Sequence, residues 1–147
     1  MNKEYKRIYQ KALDLLSRRE HSPLELNRKL QQRGFDSALI AQILLEFTDQ
    51  HWLDEARFTE CYIHNRSQKG YGLLRIQQEL QQRGIDKTCT QQVVADMEID
   101  WFALAEQALS KRFATAPSSN PKQRLREMRF LQYRGFSHDQ IRALFND

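Results

Sequence analysis

The sequence predicts an all-α fold, with three tandem three-helix repeats that form an elongated, curved helical array. The first observation is an internal repeat, because LQQRG at Leu30–Gly34 returns at Leu80–Gly84 and again as LQYRG at Leu131–Gly135. Such a constant spacing is typical of stacked repeats. The second observation is composition: Leu, Gln, Arg, Glu and Ala are abundant, while the 147 residues include only five Gly and three Pro. Unbranched side chains of this kind favour helix.

Each repeat is expected to open with a long helix. We predict these first helices at about 3–19, 54–68 and 101–113, within repeats at 1–50, 51–100 and 101–147. Trp52 and Trp101 stand near the starts of the second and third repeats. The stretch ATAPSSNP at 114–121 is typical of a loop inside the third repeat. No segment alternates apolar and polar residues for long enough to propose a strand.

A second helix ends at each repeated glycine. In every copy, leucines stand ten and four positions before the glycine, which is helical spacing: Leu24 and Leu30, Leu74 and Leu80, Leu125 and Leu131. A glycine directly after such a helix suits a left-handed C-terminal cap. We therefore take Gly34, Gly84 and Gly135 as the structural markers of the repeat.

A third helix follows each glycine, and its start has recognisable caps. Asp36 and Asp86 are predicted as N-caps of the third helices in the first two repeats. SPLE, which begins at Ser22, and SHDQ, which begins at Ser137, fit the capping-box pattern. Three short helices bury little apolar surface alone, so neighbouring repeats must stack. The resulting long surface suits an extended partner better than a small substrate.

Charge follows the same period as the repeat. Net basic segments at 1–33, 61–85 and 111–147 alternate with net acidic segments at 34–60 and 86–110. If the basic side chains line up along one side, they form a track for an anionic partner, such as a nucleic-acid backbone or an acidic protein groove. No base-reading motif accompanies them, so sequence-specific DNA recognition is not predicted.

Motifs of enzymes and cofactor sites do not occur. Cys61 and His64 lie three positions apart on one helix, but zinc needs about two more ligands, and the sequence offers none in pattern. Gly70-Tyr71-Gly72 lacks the preceding strand and the third glycine of a dinucleotide-binding fingerprint. We therefore predict a protein that is not an enzyme and that binds no metal or cofactor.

The chain also lacks membrane and secretion signals. No run approaches the roughly 18 apolar residues of a membrane span, and the N-terminal segment has no continuous apolar core of a signal peptide. Two cysteines, Cys61 and Cys89, are too few for a disulfide framework. We expect a cytoplasmic monomer with reduced thiols and no contact with a membrane.

The segment KGYG at 69–72 occurs only in the middle repeat. Tyr71 is expected at a corner between two helices, where both inward packing and exposure stay open. Its flanking glycines supply backbone freedom that would let a partner approach closely. The middle repeat is therefore where we first expect a partner to bind.

Three segments resemble the RecX family of regulatory proteins. SQKGYGLLRIQQELQQRGI at Ser67–Ile85 is similar to the family's signature of a basic residue, GYG, an R-I-x-x-E-L helix and a K/R-G-I end. WLDEARF at Trp52–Phe58 and RFLQYRGF at Arg129–Phe136 resemble other parts of the family, so the likeness spans nearly the whole chain. Leu73 departs from the pattern, since proline is common there. This weakens the first-turn preference of the helix but leaves its charges intact.

The resemblance implies a function that the repeats alone do not give. RecX proteins bind the RecA recombinase, chiefly its filament on single-stranded DNA. They restrain ATP hydrolysis, strand exchange and the coprotease activity that triggers the SOS response. The implied partner is therefore the RecA filament, with contact to DNA phosphates as a further expectation. Helical spacing turns Arg75 outward, and we predict a contact surface of Lys69, Tyr71, Arg75 and Arg83, with a second patch of Arg124, Arg126 and Arg129.

Two other functions stay open from the sequence. A nucleic-acid-binding module without sequence preference would bind bare single strands, and its affinity would fall by about 0.7 log units per log unit of salt for each phosphate neutralised. A helical-repeat adaptor for an unrelated acidic protein would leave RecA unaffected.

Overall fold

The computed structural model describes residues 2–146, and all of the regular secondary structure in this range is helical. These residues form nine α-helices: α1 Lys3–Arg18, α2 Pro23–Gln32, α3 Ser37–Asp49, α4 Glu55–Gln68, α5 Leu73–Gln82, α6 Lys87–Met97, α7 Trp101–Arg112, α8 Pro121–Arg134 and α9 His138–Phe145. The predicted all-α class and tandem three-helix repeats are confirmed.

Local capping explains where most helices begin. The side chains of Asp36 and Asp86 accept hydrogen bonds from backbone N–H groups of α3 and α6, as predicted. Complete capping boxes at Ser22 and Ser137 begin α2 and α9. The exception is α5, whose N-cap Gly72 has no side chain to accept a bond.

The three marker glycines adopt the predicted left-handed conformation, with φ of +81° at Gly34, +82° at Gly84 and +98° at Gly135. L side chains rarely adopt this region, so glycine is the residue that lets the chain leave the second helix and enter the third.

Each repeat has its own apolar core. The first is built around Ile8, Leu26 and Phe47, the second around Ile63, Ile76 and Leu80, and the third around Leu109, Leu131 and Phe136. Three separate cores in chain order are the arrangement that a tandem array requires.

The tryptophans at the starts of the second and third repeats pack against the repeat before them. Trp52 packs edge-on against Phe47, with ring centroids 5.1 Å apart, and against Tyr9, at 6.3 Å, so it closes the first core. Trp101 is the first residue of α7 yet belongs to the second core. Each tryptophan therefore stands at the start of one repeat and packs against the core of the repeat before it.

The second helices of the three repeats meet end to end. At the first joint, the N-terminus of α2 meets the C-terminal end of α5, and Ser22 Oγ donates to the carbonyl of Arg83 at 2.6 Å. At the second joint, the N-terminus of α5 meets the C-terminal end of α8 in the same way. The positive end of each helix dipole therefore faces the negative end of the next. We call the two contacts the first joint and the second joint.

A buried histidine stands beside the first joint. His21 is 1% exposed, with Nδ1 3.0 Å from the carbonyl oxygen of Arg19 and Nε2 2.8 Å from Lys29 Nζ. A lysine ammonium can only donate, so Nε2 accepts and the ring is neutral, with its proton on Nδ1. Burial is the main cause that lowers the pKa of His21. The hydrogen bond to the carbonyl of Arg19 acts to raise the pKa, but burial and the charges of Arg19 and Lys29 together hold it below its ordinary value.

We expect acid to destabilise the chain through His21. The unfolded histidine takes up a proton as the pH falls through about 6.5, whereas the folded one stays neutral to lower pH. The free energy of unfolding therefore decreases below that pH, by up to about 1.4 kcal/mol for each unit by which the pKa is lowered. Urea unfolding at pH 7.5 and 5.5 should show this decrease in the wild type.

The same comparison should show little pH dependence in His21→Asn, in which no group at this position takes up a proton. His64→Asn is the matched control, because His64 is exposed, and it should behave as the wild type does. An equal pH dependence in wild type and His21→Asn would contradict the assignment.

Candidate partner-binding site at the second joint

The second joint is a close backbone contact built on glycine. The N–H of Gly72 donates to the carbonyl of Arg134 at 2.8 Å, and the N–H of Leu74 donates to that of Gly135 at 3.0 Å. These bonds replace the missing cap of α5. A Cβ built on Gly72 would lie 2.4 Å from the carbonyl carbon and oxygen of Gly135, and one on Gly135 would lie 2.4 Å from the Cβ of Arg75. The joint therefore admits no side chain at either glycine.

Tyr71 lies in the middle of this joint. Its half-buried ring packs on the second core. Guanidinium carbons lie near the ring centroid from three helices: Arg66 at 3.9 Å, Arg75 at 4.6 Å and Arg134 at 4.7 Å. Cations over an aromatic face are attracted by its quadrupole. Tyr71 is thus mainly an internal platform that orders the arginines.

Glu79 balances the charge of these arginines. Its carboxylate accepts bonds from Arg66 at 2.9 Å, from Tyr62 at 2.8 Å and from Arg75 at 3.3 Å. Burial acts to raise the pKa of Glu79, but the bonds from Arg66 and Tyr62 outweigh it and hold the pKa below its ordinary value. Burial and the bond to Glu79 raise the pKa of Tyr62 to about 12. The carboxylate therefore stays ionised and fixes Arg75 at neutral pH.

A groove of about 850 Å³ opens beside the joint, between α5 on one side and α8 and α9 on the other. Tyr133 stands at its edge with 78% of its surface exposed, and Leu74 is 51% exposed. Arg75 Cζ lies 5.3 Å from the centroid of the Tyr133 ring. The remaining walls carry Gln78, Gln82, Gln132, Met128, His138 and Ile141. The groove offers an exposed aromatic, an apolar residue and an oriented arginine, a set that suits a protein partner.

Comparison with known proteins identifies the family to which the chain belongs. Models of the first, second and third three-helix domains of RecX match residues 9–46, 54–94 and 98–145. The chain belongs to the RecX family. It is 42% identical over 135 residues to regulatory protein RecX of Pseudomonas entomophila (strain L48), which covers 92% of this chain and 87% of that protein. To its counterpart in Serratia proteamaculans (strain 568) it is 36% identical over 162 residues, at 95% and 96% coverage.

Solved RecX structures share the fold. The crystal structure of RecX from Lactobacillus salivarius superposes with a TM-score of 0.77, at 22% identity, and covers 96% of this chain and 94% of that one. A second crystal structure, of regulatory protein RecX, gives a TM-score of 0.83 at 19% identity, over 98% of this chain and 74% of that one. The tandem three-helix architecture is therefore that of RecX.

The residues predicted as the first contact surface of this RecX chain lie at two different joints. Lys69 is exposed at the second joint, and its carbonyl accepts from Arg134 at 3.1 Å. Tyr71 and Arg75 also lie there, but Arg75 is half-buried between two rings and does not simply face outward. Arg83 belongs to the first joint, where its Nε lies 3.5 Å from Glu25 Oε2. The four residues thus do not form one surface.

The predicted second patch is divided as well. Arg124 donates to the carbonyl of Phe145, and its Cζ lies 5.3 Å from the ring centroid of that residue. It therefore supports the C-terminal end of α9. Arg126 and Arg129 are exposed, and neither makes a side-chain hydrogen bond or ion pair within residues 2–146. These two arginines are the members of the patch that a partner can reach.

Tyr133 and Leu74 were not among the predicted site residues. A signal for Tyr133 exists in the repeat, because LQYRG has tyrosine where the other two copies have Gln32 and Gln82. An aromatic side chain in place of glutamine at a solvent-facing position exposes apolar surface to water. Exposed apolar surface of this kind is typical of a site that binds a partner. Leu74 gives no such signal, because Leu24 and Leu125 occupy the same position in the other repeats.

Within residues 2–146, no three His, Cys, Asp or Glu side chains are grouped so that they could hold a metal ion. In the same range, none of the helices combines the length and the apolar character that a bilayer crossing requires.

Proposed function

We propose that this RecX-family chain is a non-enzymatic regulator that binds the RecA filament on single-stranded DNA through the groove at the second joint. RecA is the partner that the RecX resemblance implies. The curated relatives carry the name regulatory protein, which supports regulation over catalysis. The observation that carries the choice of surface is the exposed Tyr133 beside the ordered Arg75.

The composition of the groove supports binding to a protein. Tyrosine and arginine are the residues that most often dominate the free energy of binding at protein interfaces. A side chain that is already held in place loses less conformational entropy when it binds. Arg75 is held by Glu79 and by the rings of Tyr71 and Tyr133, so it is positioned before a partner arrives.

The array suggests how binding restrains RecA. Three repeats in a row present a surface longer than one repeat, so the chain can contact neighbouring protomers in the filament groove. A bridge of this kind opposes the addition of subunits and the movements that accompany ATP hydrolysis. Lower ATPase activity, strand exchange and coprotease activity would follow, and with them a weaker SOS response.

One titration tests this function against the alternatives. The purified chain is added to a RecA ATPase assay on single-stranded DNA, and its binding to the same DNA is measured without RecA. We expect inhibition at chain concentrations at least about tenfold below those that bind the DNA alone, because the protein contact adds to any DNA contact. Inhibition only where the chain coats the DNA would favour the nucleic-acid-binding module. No effect on RecA would favour an adaptor for another protein.

A further inference from the structure

A second, smaller cavity lies at the second joint, away from the groove. Its volume is about 160 Å³, and it is formed where the C-terminal ends of α4 and α7 meet α8. Leu104, Ala108 and Phe130 give it an apolar floor. A space of this size has room for a phosphate group with a few waters.

Four cations surround this cavity and no carboxylate does. The charged residues of the lining are Lys69, Lys111, Arg112 and Arg134, and the uncharged polar ones are Ser67, Gln68 and Gln107. Lys69 and Lys111 are exposed, and neither side chain makes a hydrogen bond or an ion pair with any other of residues 2–146. Both ammonium groups are therefore available to a ligand.

Helix capping accounts for part of this charge. Lys69 is the C-cap of α4, and Lys111 and Arg112 lie in the last turn of α7, where cations complement the helix dipole. Arg134 is also engaged, since it donates to the carbonyl of Lys69 and its Cζ lies 5.0 Å from the ring centroid of Phe130. Two helix ends carry together about one negative charge, which leaves an excess of positive charge around the cavity.

We propose that this cavity binds one backbone phosphate of single-stranded nucleic acid. An anion placed between Lys69 and Lys111 relieves the repulsion of the four cations, in a site whose apolar floor screens charge less than water does. Lysines hold a phosphate as point charges, and phosphate contacts carry no sequence information. The site therefore binds without sequence preference.

This proposal deepens the proposed function, because it adds a direct DNA contact to the same joint that presents the groove to RecA. It rests on the proposed function only for the identity of the nucleic acid, which is the single strand in the RecA filament. Binding of a phosphate can be measured on the full chain without RecA, so a failure here is distinct from a failure of RecA inhibition.

The test compares Lys69→Ala/Lys111→Ala with the matched pair Lys3→Ala/Lys87→Ala, which removes the same charge outside the cavity. The probes are a labelled oligodeoxythymidine and inorganic phosphate. We expect the cavity variant to bind the oligonucleotide about tenfold more weakly at low salt, with a salt slope smaller by about 0.7, and the control variant to lose less than about twofold. Phosphate should shift the amide resonance of Gly70 in the wild type and not in the cavity variant.

Three results would overturn the proposal. Equal losses in the two variants would mean that net charge, and not the cavity, governs binding. A phosphate-dependent shift of Gly70 with unchanged oligonucleotide affinity would assign the cavity to a free phosphate compound. No shift and no oligonucleotide binding at low salt would show that the cavity holds no anion.

Discussion

Gly72→Ala is expected to destabilise the chain by about 3 kcal/mol and to separate the third repeat from the second. The new Cβ would lie 2.4 Å from backbone atoms of Gly135 and 2.5 Å from the nitrogen of Phe136, whereas carbon atoms in contact sit about 3.5–4.0 Å apart. Backbone atoms cannot rotate away as a flexible side chain can, so the joint must open. Urea unfolding followed by circular dichroism should then show a second transition at lower denaturant.

The control is Gly34→Ala. We expect it to lose less stability than Gly72→Ala, although Gly34 is the glycine with a positive φ. Gly34 has φ of +81° with nothing within 4 Å of its Cβ position, so alanine there costs about 1 kcal/mol of backbone strain. Gly72 has φ of −89°, which any residue adopts. From backbone conformation alone, Gly34→Ala should lower the free energy of unfolding more than Gly72→Ala. The close contact at the second joint predicts the opposite order. A smaller loss in Gly72→Ala than in Gly34→Ala would contradict the joint.

The fold could be predicted from the sequence because its signals are local. The LQQRG repeat, the marker glycines and caps such as Asp36 and Ser22 each act within one or two helical turns. The first helices, predicted at about 3–19, 54–68 and 101–113, lie at Lys3–Arg18, Glu55–Gln68 and Trp101–Arg112. The packing of Trp52 and Trp101 against the preceding repeat could not be predicted, because it depends on tertiary contacts that the helical pattern does not contain.

The joints could not be predicted, because they join residues far apart in the chain. Gly72 contacts Gly135, and neither residue's sequence neighbours indicate the other. For the same reason KGYG was interpreted as a place for a partner to approach, whereas the backbone that comes closest to it belongs to the third repeat. The sequence thus marked an important segment and left open what the segment contacts.

The predicted arginines show the same limit. The pairing of Arg75 with Glu79 is visible in the sequence, since the two residues are one helical turn apart. The contacts of Arg66 and Tyr62 with the same carboxylate come from another helix. Charge on a helix surface was therefore read as free for a partner, although tertiary contacts engage much of it. Arg126 and Arg129 stay free within residues 2–146, and their role in binding stays a prediction.

Tyr133→Ala is expected to weaken inhibition of RecA by about thirtyfold, which corresponds to about 2 kcal/mol of binding free energy and is typical of a central interface tyrosine. The residue is 78% exposed, so its removal should change the free energy of unfolding by no more than about 0.5 kcal/mol. Because Arg75 keeps its bond to Glu79, the loss reports the tyrosine itself. The measured quantity is the concentration that halves RecA ATPase activity on single-stranded DNA.

The central claim, that the groove at the second joint binds the RecA filament, is tested most directly by this titration with Tyr133→Ala and Phe102→Ala side by side. Phe102 is an aromatic that is 48% exposed and lies on α7, outside the groove. The account predicts the thirtyfold loss in Tyr133→Ala and wild-type inhibition in Phe102→Ala, with both variants folded. Wild-type inhibition in Tyr133→Ala, or equal losses in both variants, would contradict it.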